Sequence, residues 1–255
     1  MEYHISIFKN GTTTAPGPEM YYLSDWEKEY TLYTYFFLVR GNGHNILIDT
    51  GCGDIEAINK MLFEEFKGKV SFELPESETT ENILKRNNIE PKGIEYVFIS
   101  HLHHDHSSNV DLFPNAKVIL SRKGWVEYMK KDKPYYYNDI LFPTKPIKYL
   151  ASLHPDRLIF VENEKEILPG ISAFWVGGHT PGCMAVEVNT RMGNAVFTSD
   201  VAFFVGNVKK NHPIGLYYNQ WEIFEAYRKI REKADIIIPS HDPTILDEKF
   251  KDGKI

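Results

Sequence analysis

The sequence predicts an α/β protein with two mixed β-sheets flanked by helices. The chain has 255 residues, 42% of them hydrophobic, so it can bury a substantial core. Apolar runs of strand length alternate with amphipathic stretches of helix length from one end to the other. No low-complexity linker divides the chain, and layers of sheets and helices bury such a mixture well. We therefore expect a single domain over residues 1–255.

The first half begins with two strand-like segments joined by a tight turn. Thr31–Val39 and Asn45–Asp49 are rich in β-branched and aromatic residues, and Gly41-Asn42-Gly43 between them tolerates positive φ. This pattern predicts a β-hairpin. The other elements expected in this half are helices over Asp54–Phe66, from Thr79 or Thr80, and over Lys123–Lys131, with strands over Tyr96–Ile99 and Lys117–Leu120.

The second half of the chain also contains a mixture of strand-like and helix-like segments. Its expected elements are strands over Leu158–Val161, Ile171–Val176, Met184–Val188, Ala195–Thr198 and Ile236–Ile238, and a long helix over Asn219–Lys233. In the first half, a strand ending in Asp49 precedes one ending in Ser100-His101; in the second, a strand ending in Asp200 precedes one ending in Ser240-His241. We interpret this echo as a duplication of half-domains, roughly 30–150 and 155–255, with coincidence of short matches as the alternative.

The net charge and the cysteine content indicate which binding partners and which cellular compartment to expect. The net charge of −6 and pI near 5.9 argue against a broad phosphate-binding surface, so no nucleic-acid partner is expected. Cys52 and Cys183 cannot form a disulfide framework and are not spaced as a metal-binding pair, which fits a reducing compartment. The N-terminal residues lack a secretion signal, and no apolar run approaches the ~20 residues of a membrane span. The sequence predicts a cytoplasmic protein.

The segment Ser100–His106 reads Ser-His-Leu-His-His-Asp-His and carries the densest concentration of metal-binding side chains. It follows the apolar run Tyr96–Ile99, so these side chains lie where a buried strand opens into a loop. Imidazoles and carboxylates are ligands for zinc and related divalent ions. A terminal affinity tag would lie at an end of the chain and would lack the aspartate. The segment therefore predicts a metal site.

Side chains elsewhere occupy the same kind of position at the end of an apolar run. His179 and His241 each stand among small turn-forming residues after such a run, and Asp200 closes another. His212 is a weaker candidate of the same type. We expect these side chains to complete the site that begins at His101.

A two-residue step along an extended chain returns a side chain to the same side. His101 and His103 could therefore reach one metal together, while Asp105 and His106, beyond the bend, face a second. Adding one distant histidine to each pair gives three ligands for each ion. The first group would be His101, His103 and His179, and the second Asp105, His106 and His241. Asp200 could bridge the two ions.

This ligand set predicts catalysis rather than a structural metal. Structural zinc is normally closed by four protein ligands that usually include cysteine, whereas catalytic sites keep open positions. Two ions roughly 3.5–4 Å apart can hold a bridging hydroxide, because coordination brings the pKa of water from 15.7 to about 7. The sequence contains neither a Gly-x-Ser-x-Gly elbow nor a His-Glu-x-x-His motif. Hydrolysis by a metal-bound hydroxide is the expected chemistry.

The order His-x-His-x-Asp-His, then single His, Asp and His residues, resembles the metallo-β-lactamase superfamily. The resemblance extends over most of the chain and includes Ile46–Gly51 and Gly178–Gly182. It implies an αββα sandwich, the two metal groups given above with Asp200 bridging, and two divalent ions, with zinc expected and iron, cobalt or manganese as alternatives. It also implies that Asp49 and Thr180 orient ligands, whereas His104 does not match a ligand position and is a neighbour of the site.

Within that superfamily the chain looks most like the N-acyl homoserine lactonases. This likeness implies a small acyl-lactone substrate whose ring is opened by the metal-bridging hydroxide, with Asp105 moving the proton; another lactone, an ester, a thioester or an amide is the alternative. Many such lactonases carry a tyrosine three residues after the bridging aspartate, where it contacts the substrate carbonyl. Phe203 occupies that position here and offers no hydrogen bond, so Tyr217 or Tyr218 is expected to replace it.

Two aromatic-rich stretches are candidates for the wall of an apolar pocket. They consist of Tyr21, Tyr22 and Trp26 near the start, and Tyr135, Tyr136, Tyr137 and Phe142 in a segment that contains proline. Apolar walls with few polar groups are typical of small-molecule sites. Core packing, or a contact in a homodimer, explains the same residues equally well.

Three other functions are alternatives to hydrolysis. A nuclease would need a basic surface, but the lysines form only short pairs such as Lys130-Lys131 and Lys209-Lys210. An iron redox protein is compatible with histidine and carboxylate ligands. A metal-binding protein without activity is disfavoured because all seven ligand positions are filled.

Overall fold

The computed structural model describes residues 2–67, 70–130 and 140–246. Within these ranges it contains eleven strands, eight α-helices and six short 3₁₀ segments. The strands are β1 His4–Pro16, β2 Glu29–Gly41, β3 His44–Ile48, β4 Tyr96–Phe98, β5 Lys117–Ser121, β6 Leu158–Val161, β7 Glu164–Leu168, β8 Ile171–Trp175, β9 Met184–Thr190, β10 Gly193–Phe197 and β11 Ile236–Ile238. The helices are α1 Gly17–Met20, α2 Glu56–Phe66, α3 Thr80–Arg86, α4 His104–Ser107, α5 Arg122–Tyr128, α6 Thr144–Ser152, α7 Val205–Lys210 and α8 Gln220–Lys233.

The strands form two mixed sheets. The first has the order β1-β2-β3-β4-β5-β6, antiparallel up to β3 and parallel from β3 onwards. The second has the order β11-β10-β9-β8-β7, in which only the pair of β10 and β11 is parallel. The predicted fold class is thereby confirmed.

Three layers of buried apolar side chains hold the sheets and helices together. Alternation along β2 shows how: Phe37 and Val39 face the second sheet, whereas Phe36 and Leu38 face outer helices. The outer face of the first sheet packs on α3, α5 and α6, and the outer face of the second packs mainly on α8. This arrangement is an αββα sandwich.

Most predicted elements occur close to their expected bounds. The hairpin of β2 and β3 turns at Asn42 and Gly43, and α8 begins after Asn219, whose side chain accepts from the backbone N–H groups of Trp221 and Glu222. The strand Leu158–Val161, expected at the start of the second half, pairs with β5 in the first sheet instead. The long strand β1 was not predicted; its pairing with β2 shifts register between Lys9 and Thr12.

The two sheets bring the ends of parallel strands to a common edge. In the first sheet β3 and β4 run parallel, so the residues that follow them, including Asp49 and His101, lie side by side. In the second sheet β10 and β11 do the same for Asp200 and His241. The turn between β8 and β9 carries His179, and Met184 N at the start of β9 donates to Ser100 O at 2.9 Å. The sandwich thus gathers residues that are far apart in sequence.

Candidate metal centre

The structure brings all seven predicted side chains together in two adjoining groups. One group consists of His101, His103, His179 and Asp200, and the other of Asp105, His106 and His241. Within each group the nitrogen or oxygen atoms available for a metal lie within 4.8 Å of one another. His212, the weaker candidate, lies outside both groups, and its Nε2 is 2.9 Å from Tyr22 O.

The short helix α4 divides the metal-binding side chains of the segment His101–His106 between the two groups. His103 is the extended residue before the helix, and its carbonyl oxygen accepts from the backbone N–H groups of His106 and Ser107 at 3.1 and 3.0 Å. His103 therefore stays on the side of His101, while the helical turn carries Asp105 and His106 to the other side. This is the division expected from the extended-chain geometry of the sequence.

Asp200 lies between the two groups: its Oδ1 faces the second group, and its Oδ2 faces both, since it also lies 3.4 Å from His241 Nε2. Oδ1 lies 3.2 Å from His106 Nε2 and 3.3 Å from His241 Nε2. Oδ2 lies 3.6 Å from both His101 Nε2 and His179 Nε2. A carboxylate with this placement can contact two ions at once.

Backbone carbonyls fix two of the imidazoles by their outer nitrogens. His179 Nδ1 lies 2.6 Å from Leu216 O, and His241 Nδ1 lies 2.9 Å from Tyr33 O. Because a carbonyl oxygen only accepts, Nδ1 must carry the hydrogen in both rings. Nε2 then presents its lone pair toward the centre of the group, as a metal ligand requires.

Asp49 holds His106 in the same manner. Its Oδ2 lies 2.8 Å from His106 Nδ1, and its two oxygens also accept from the backbone N–H and hydroxyl of Ser100 at 2.7 and 2.9 Å. Asp49 and Ser199 have φ values of 59° and 54°, in the left-handed region that few residues other than glycine adopt. Such conformations concentrate at functional sites, because the surrounding structure must hold them in place.

Thr180, also expected to orient a ligand, has a different contact. Its buried hydroxyl lies 3.3 Å from Cys183 Sγ. Both Cys183 and Cys52 are buried, and both thiols lie outside the two groups.

The chemistry of the donor set fits divalent metal ions. His101 Nε2, His106 Nε2 and Asp200 Oδ1 are buried and form no hydrogen bond with any described residue. Buried polar atoms normally have partners, so three such atoms in one place indicate a missing positive partner. Imidazole and carboxylate donors without thiolate suit zinc, iron, cobalt or manganese.

Burial and charge also prepare the groups for a cation. Burial is the main cause that lowers the pKa of His101, His103 and His179, so these imidazoles stay neutral and keep a lone pair. Burial alone would raise the pKa of Asp105 and Asp200, but the neighbouring histidines outweigh it and hold both values well below the usual range.

The opposite balance applies to His106 and His241 in the second group. Burial opposes protonation of both rings, but the carboxylates of Asp105 and Asp200 outweigh it and raise both pKa values. Two buried, ionised carboxylates thus stand among the histidines, which gives the site the negative charge that a cation would balance.

A cavity of about 460 Å³ opens onto both groups. Its floor includes His103, Asp105, His179, Asp200 and His241. Its walls are largely apolar and come from β1, β2, α2, the segment after α2 and the segments before α6, α7 and α8: Ala15, Leu32, Leu62, Val70, Phe72, Leu141, Phe203 and Leu216. A mainly apolar cavity with polar groups at one end suits a small organic molecule.

The three residues expected to contact substrate all line this cavity. Phe203 is buried, with its ring centroid 5.9 Å from that of His179 and 5.3 Å from that of His241. Tyr217 is partly buried, and Tyr218 is 47% exposed. A hydrogen bond with Tyr22 is the main cause that raises the pKa of Tyr217, so its hydroxyl already has a partner.

The aromatic stretches expected to form the wall behave differently. Tyr21 packs against Tyr30 and Phe204 beside the second sheet, Tyr22 packs on Tyr217, and Trp26 is 69% exposed. None of these three lines the cavity, so of the alternatives left open by the sequence this stretch does not form the wall.

The other predicted aromatic stretch contributes one described residue. Phe142 packs on His103 with ring centroids 4.6 Å apart and lines a smaller cavity beside His101. Tyr135, Tyr136 and Tyr137 lie outside the described residues.

Sequence reasoning missed the wall formed by Leu62, Val70 and Phe72. Asn59 holds this segment in place: its side chain donates to Phe72 O at 2.9 Å and accepts from Phe72 N at 2.6 Å. The inward position of Leu62 on an amphipathic helix was a usable signal, but the two residues after the helix carry none.

Comparison with known proteins supports this description. A profile of the metallo-beta-lactamase superfamily matches residues 30–241. The N-acyl homoserine lactonase AiiA of Bacillus thuringiensis subsp. kurstaki is 25% identical over 203 residues, which cover 77% of this chain and 76% of that protein. A probable metallo-hydrolase of Methanocaldococcus jannaschii is 25% identical over 167 residues, or 66% of each chain.

Solved structures share the fold. An N-acyl homoserine lactone hydrolase, with the product N-hexanoyl-L-homoserine bound at its catalytic metal centre, superposes with a TM-score of 0.78 at 21% identity, covering 95% of both chains. The hydrolase AbOPH of the beta-lactamase superfamily superposes with a TM-score of 0.70 at 20% identity, covering 95% of this chain and 88% of that one.

The sandwich, its histidine and carboxylate groups and these relatives define a metal-dependent hydrolase. The chain belongs to the metallo-beta-lactamase superfamily, since the family match covers most of its length. Among the residues described, no helix combines the length and apolar character needed to cross a membrane.

Proposed function

We propose that the protein is a dinuclear metal hydrolase that opens the ring of an N-acyl homoserine lactone. His101, His103 and His179 would hold one divalent ion, and Asp105, His106 and His241 the other, with Asp200 between them. Zinc is the expected metal, because imidazole and carboxylate donors both bind it. When bound, the ions would supply hydroxide at neutral pH and polarise the carbonyl oxygen of the substrate.

The chain's own residues would orient the donors and handle the proton. His179 and His241 are kept in one tautomer by the carbonyls of Leu216 and Tyr33, and Asp49 does the same for His106. Asp105 borders the cavity, and its ionised carboxylate can take a proton from water and pass it to the ring oxygen that leaves. The apolar walls would enclose the acyl chain and limit access of bulk water.

One observation carries the proposal: the Asp200 carboxylate lies 3.2 Å from His106 Nε2 and 3.6 Å from His179 Nε2, between two buried donor groups at the floor of a mainly apolar cavity. A structural metal site would not need an open cavity above it. The names of the relatives favour acyl homoserine lactones as the substrate class.

Phe203 favours a second candidate, hydrolysis of another lactone, an ester, a thioester or an amide. Its phenyl ring lies against His179 and His241 and cannot donate a hydrogen bond to a lactone carbonyl. The cytoplasmic location stays a prediction from the sequence, and so does a homodimer contact through the two aromatic-rich stretches.

The test is a titrimetric ring-opening assay with protein stripped of metal and reloaded with Zn²⁺. Substrates are N-hexanoyl-L-homoserine lactone, a simple γ-lactone, a phenyl ester and a thioester of matched acyl length. We expect acid release from the acyl lactone that disappears with the chelator and returns with two equivalents of zinc.

His106→Ala should abolish this activity, and His4→Ala is the matched control because His4 is an exposed histidine at an edge strand. Faster hydrolysis of the ester or thioester than of the acyl lactone would support the second candidate function instead of the first. Full turnover by metal-free protein would refute both.

A further inference from the structure

His104 lies between two members of the metal groups yet belongs to neither. It is the first residue of α4, it is 8% exposed, and its side chain borders the cavity. Its ring packs edge-to-face on Phe72 with centroids 5.3 Å apart. A nearly buried imidazole beside a catalytic carboxylate needs an explanation beyond packing.

The two oxygens of Asp105 are divided between His104 and the second group. Asp105 Oδ2 lies 3.5 Å from His106 Nε2 and 3.6 Å from His241 Nε2. Asp105 Oδ1 lies 3.8 Å from His104 Nε2. The carboxylate can rotate about its Cβ–Cγ bond, so a group that attracts one oxygen also fixes the direction of the other.

The surroundings of His104 select the tautomer that can do this. Its Nδ1 is buried and forms no hydrogen bond with any described residue. A hydrogen on Nδ1 would leave an unpaired buried N–H and set the Nε2 lone pair against a carboxylate oxygen. A hydrogen on Nε2 points the only N–H of the ring at Asp105 and leaves a lone pair, the less costly group, at Nδ1.

We propose that His104 is a positioning residue that attracts Asp105 Oδ1, so that Oδ2 is presented to a metal in the second group. The inference rests on the proposed function, because it needs an ion there. The separation of 3.8 Å exceeds hydrogen-bond distance. Hydrogen bonds in active sites are often long in the absence of ligand and tighten when the site is filled. Partners of this kind contribute roughly 10–100-fold to metal affinity.

The test compares metal binding by wild type, His104→Phe and His104→Gln. Metal-free protein is titrated with Co²⁺ against a competing chelator, and the visible absorption of bound cobalt reports its coordination. We expect His104→Phe to weaken the second equivalent about tenfold and change its spectrum, with the first equivalent unaltered. His104→Gln, which keeps an N–H donor of similar reach, should restore most of the affinity.

Phe72→Leu is the matched control for packing. It removes the ring contact but keeps the imidazole, so the second equivalent should bind within about twofold of wild type. In the loaded enzyme, loss of the His104 contact should lower kcat more than it raises KM, because Asp105 acts on the reacting atoms.

The outcomes separate this inference from the proposed function. Equal affinity and an equal cobalt spectrum in wild type and His104→Phe would overturn the inference alone. Two tight equivalents in wild type without any hydrolysis would overturn the proposed function, while the affinity difference would still support His104 as a positioning residue. Fewer than two equivalents in wild type would overturn both.

Discussion

The floor and the wall of the cavity are held in place by different means. On the floor, the functional side chains themselves have partners: His106 contacts Asp49, and His179 and His241 contact backbone carbonyls. On the wall, the backbone has the partners: Asn59 bonds both the N–H and the carbonyl of Phe72. Glu73 exchanges hydrogen bonds of 2.7 and 2.8 Å with Thr12.

This difference separates reaction type from substrate choice. A change on the floor leaves a buried partner without its hydrogen bond and disturbs metal geometry. A change in a wall side chain leaves the backbone contacts intact and alters only shape and apolar area. We therefore expect floor substitutions to abolish activity on every substrate, and wall substitutions to redistribute activity among substrates.

The most severe test of this contrast is Asp200→Asn. The variant keeps the size of the side chain but removes the charge that faces both groups. Loss of about 4 kcal/mol of transition-state stabilisation would lower kcat/KM about 10³-fold. Steady-state kinetics, with metal content by elemental analysis, would check this expectation.

Asp156→Asn is the control for Asp200→Asn, because its side chain is 88% exposed and lies outside the cavity lining. Circular dichroism should show the same fold in both variants. Activity of Asp200→Asn within a few-fold of wild type would remove the basis for a bridged pair of ions.

The contrast between floor and wall also explains how much could be predicted from the sequence. The seven residues of the two donor groups were all predicted from the sequence, because few residue types can bind a metal and four of the seven lie within six positions. Their grouping followed from a local turn. The location of the site at the ends of strands could also be predicted, because apolar runs such as Ile236–Ile238 mark those strands clearly in the sequence.

The wall could not be predicted in the same way. Val70 and Phe72 are ordinary apolar residues in sequence, and they line the cavity because the segment after α2 pairs with β1 through Glu73 and Thr12. Strand β1 itself was missed because polar residues such as Thr12 and Lys9 and the register shift at Gly11 break its alternation. Tyr21 was expected at the wall for its aromatic character, but it packs beside the second sheet. Tertiary contacts, not residue type, decide which apolar residues border a cavity.

Asp49→Asn is expected to have the next largest effect. Asparagine tolerates the positive φ of this position but loses the charge and one of the oxygens that contact Ser100 and His106. The second metal equivalent should bind about tenfold more weakly, with a similar loss of kcat/KM. Chelator competition would measure it, and Asp54→Asn, which is exposed and keeps its contact with Glu56 N, is the control. An unchanged metal affinity would show that Asp49 supports the fold alone.

Leu62→Ala tests the wall. Removing its side chain from the cavity should cost about 1 kcal/mol of contact with a long acyl chain, or roughly fivefold in KM, with kcat unchanged. N-decanoyl and N-butanoyl homoserine lactones would be compared, and only the longer substrate should respond. Phe63→Ala is the matched control, because the neighbouring Phe63 is 65% exposed and lies outside the cavity lining. An equal effect on both substrates would contradict the assignment of Leu62 to the acyl-chain wall.

The smallest effect is expected for the two cysteines, which lie behind the floor. Burial is the main cause that raises the pKa of Cys183 to about 11, and it raises the pKa of Cys52 as well. A thiol remains protonated below its pKa, so at pH 8 only about one Cys183 in a thousand would be the reactive thiolate. Ellman's reagent should therefore label neither cysteine in the folded protein, whether metal-free or loaded with zinc, and both in denaturant. If zinc protected a thiol that is reactive in the metal-free protein, a cysteine would have to be added to the floor, and the all-histidine-and-carboxylate donor set would be incomplete.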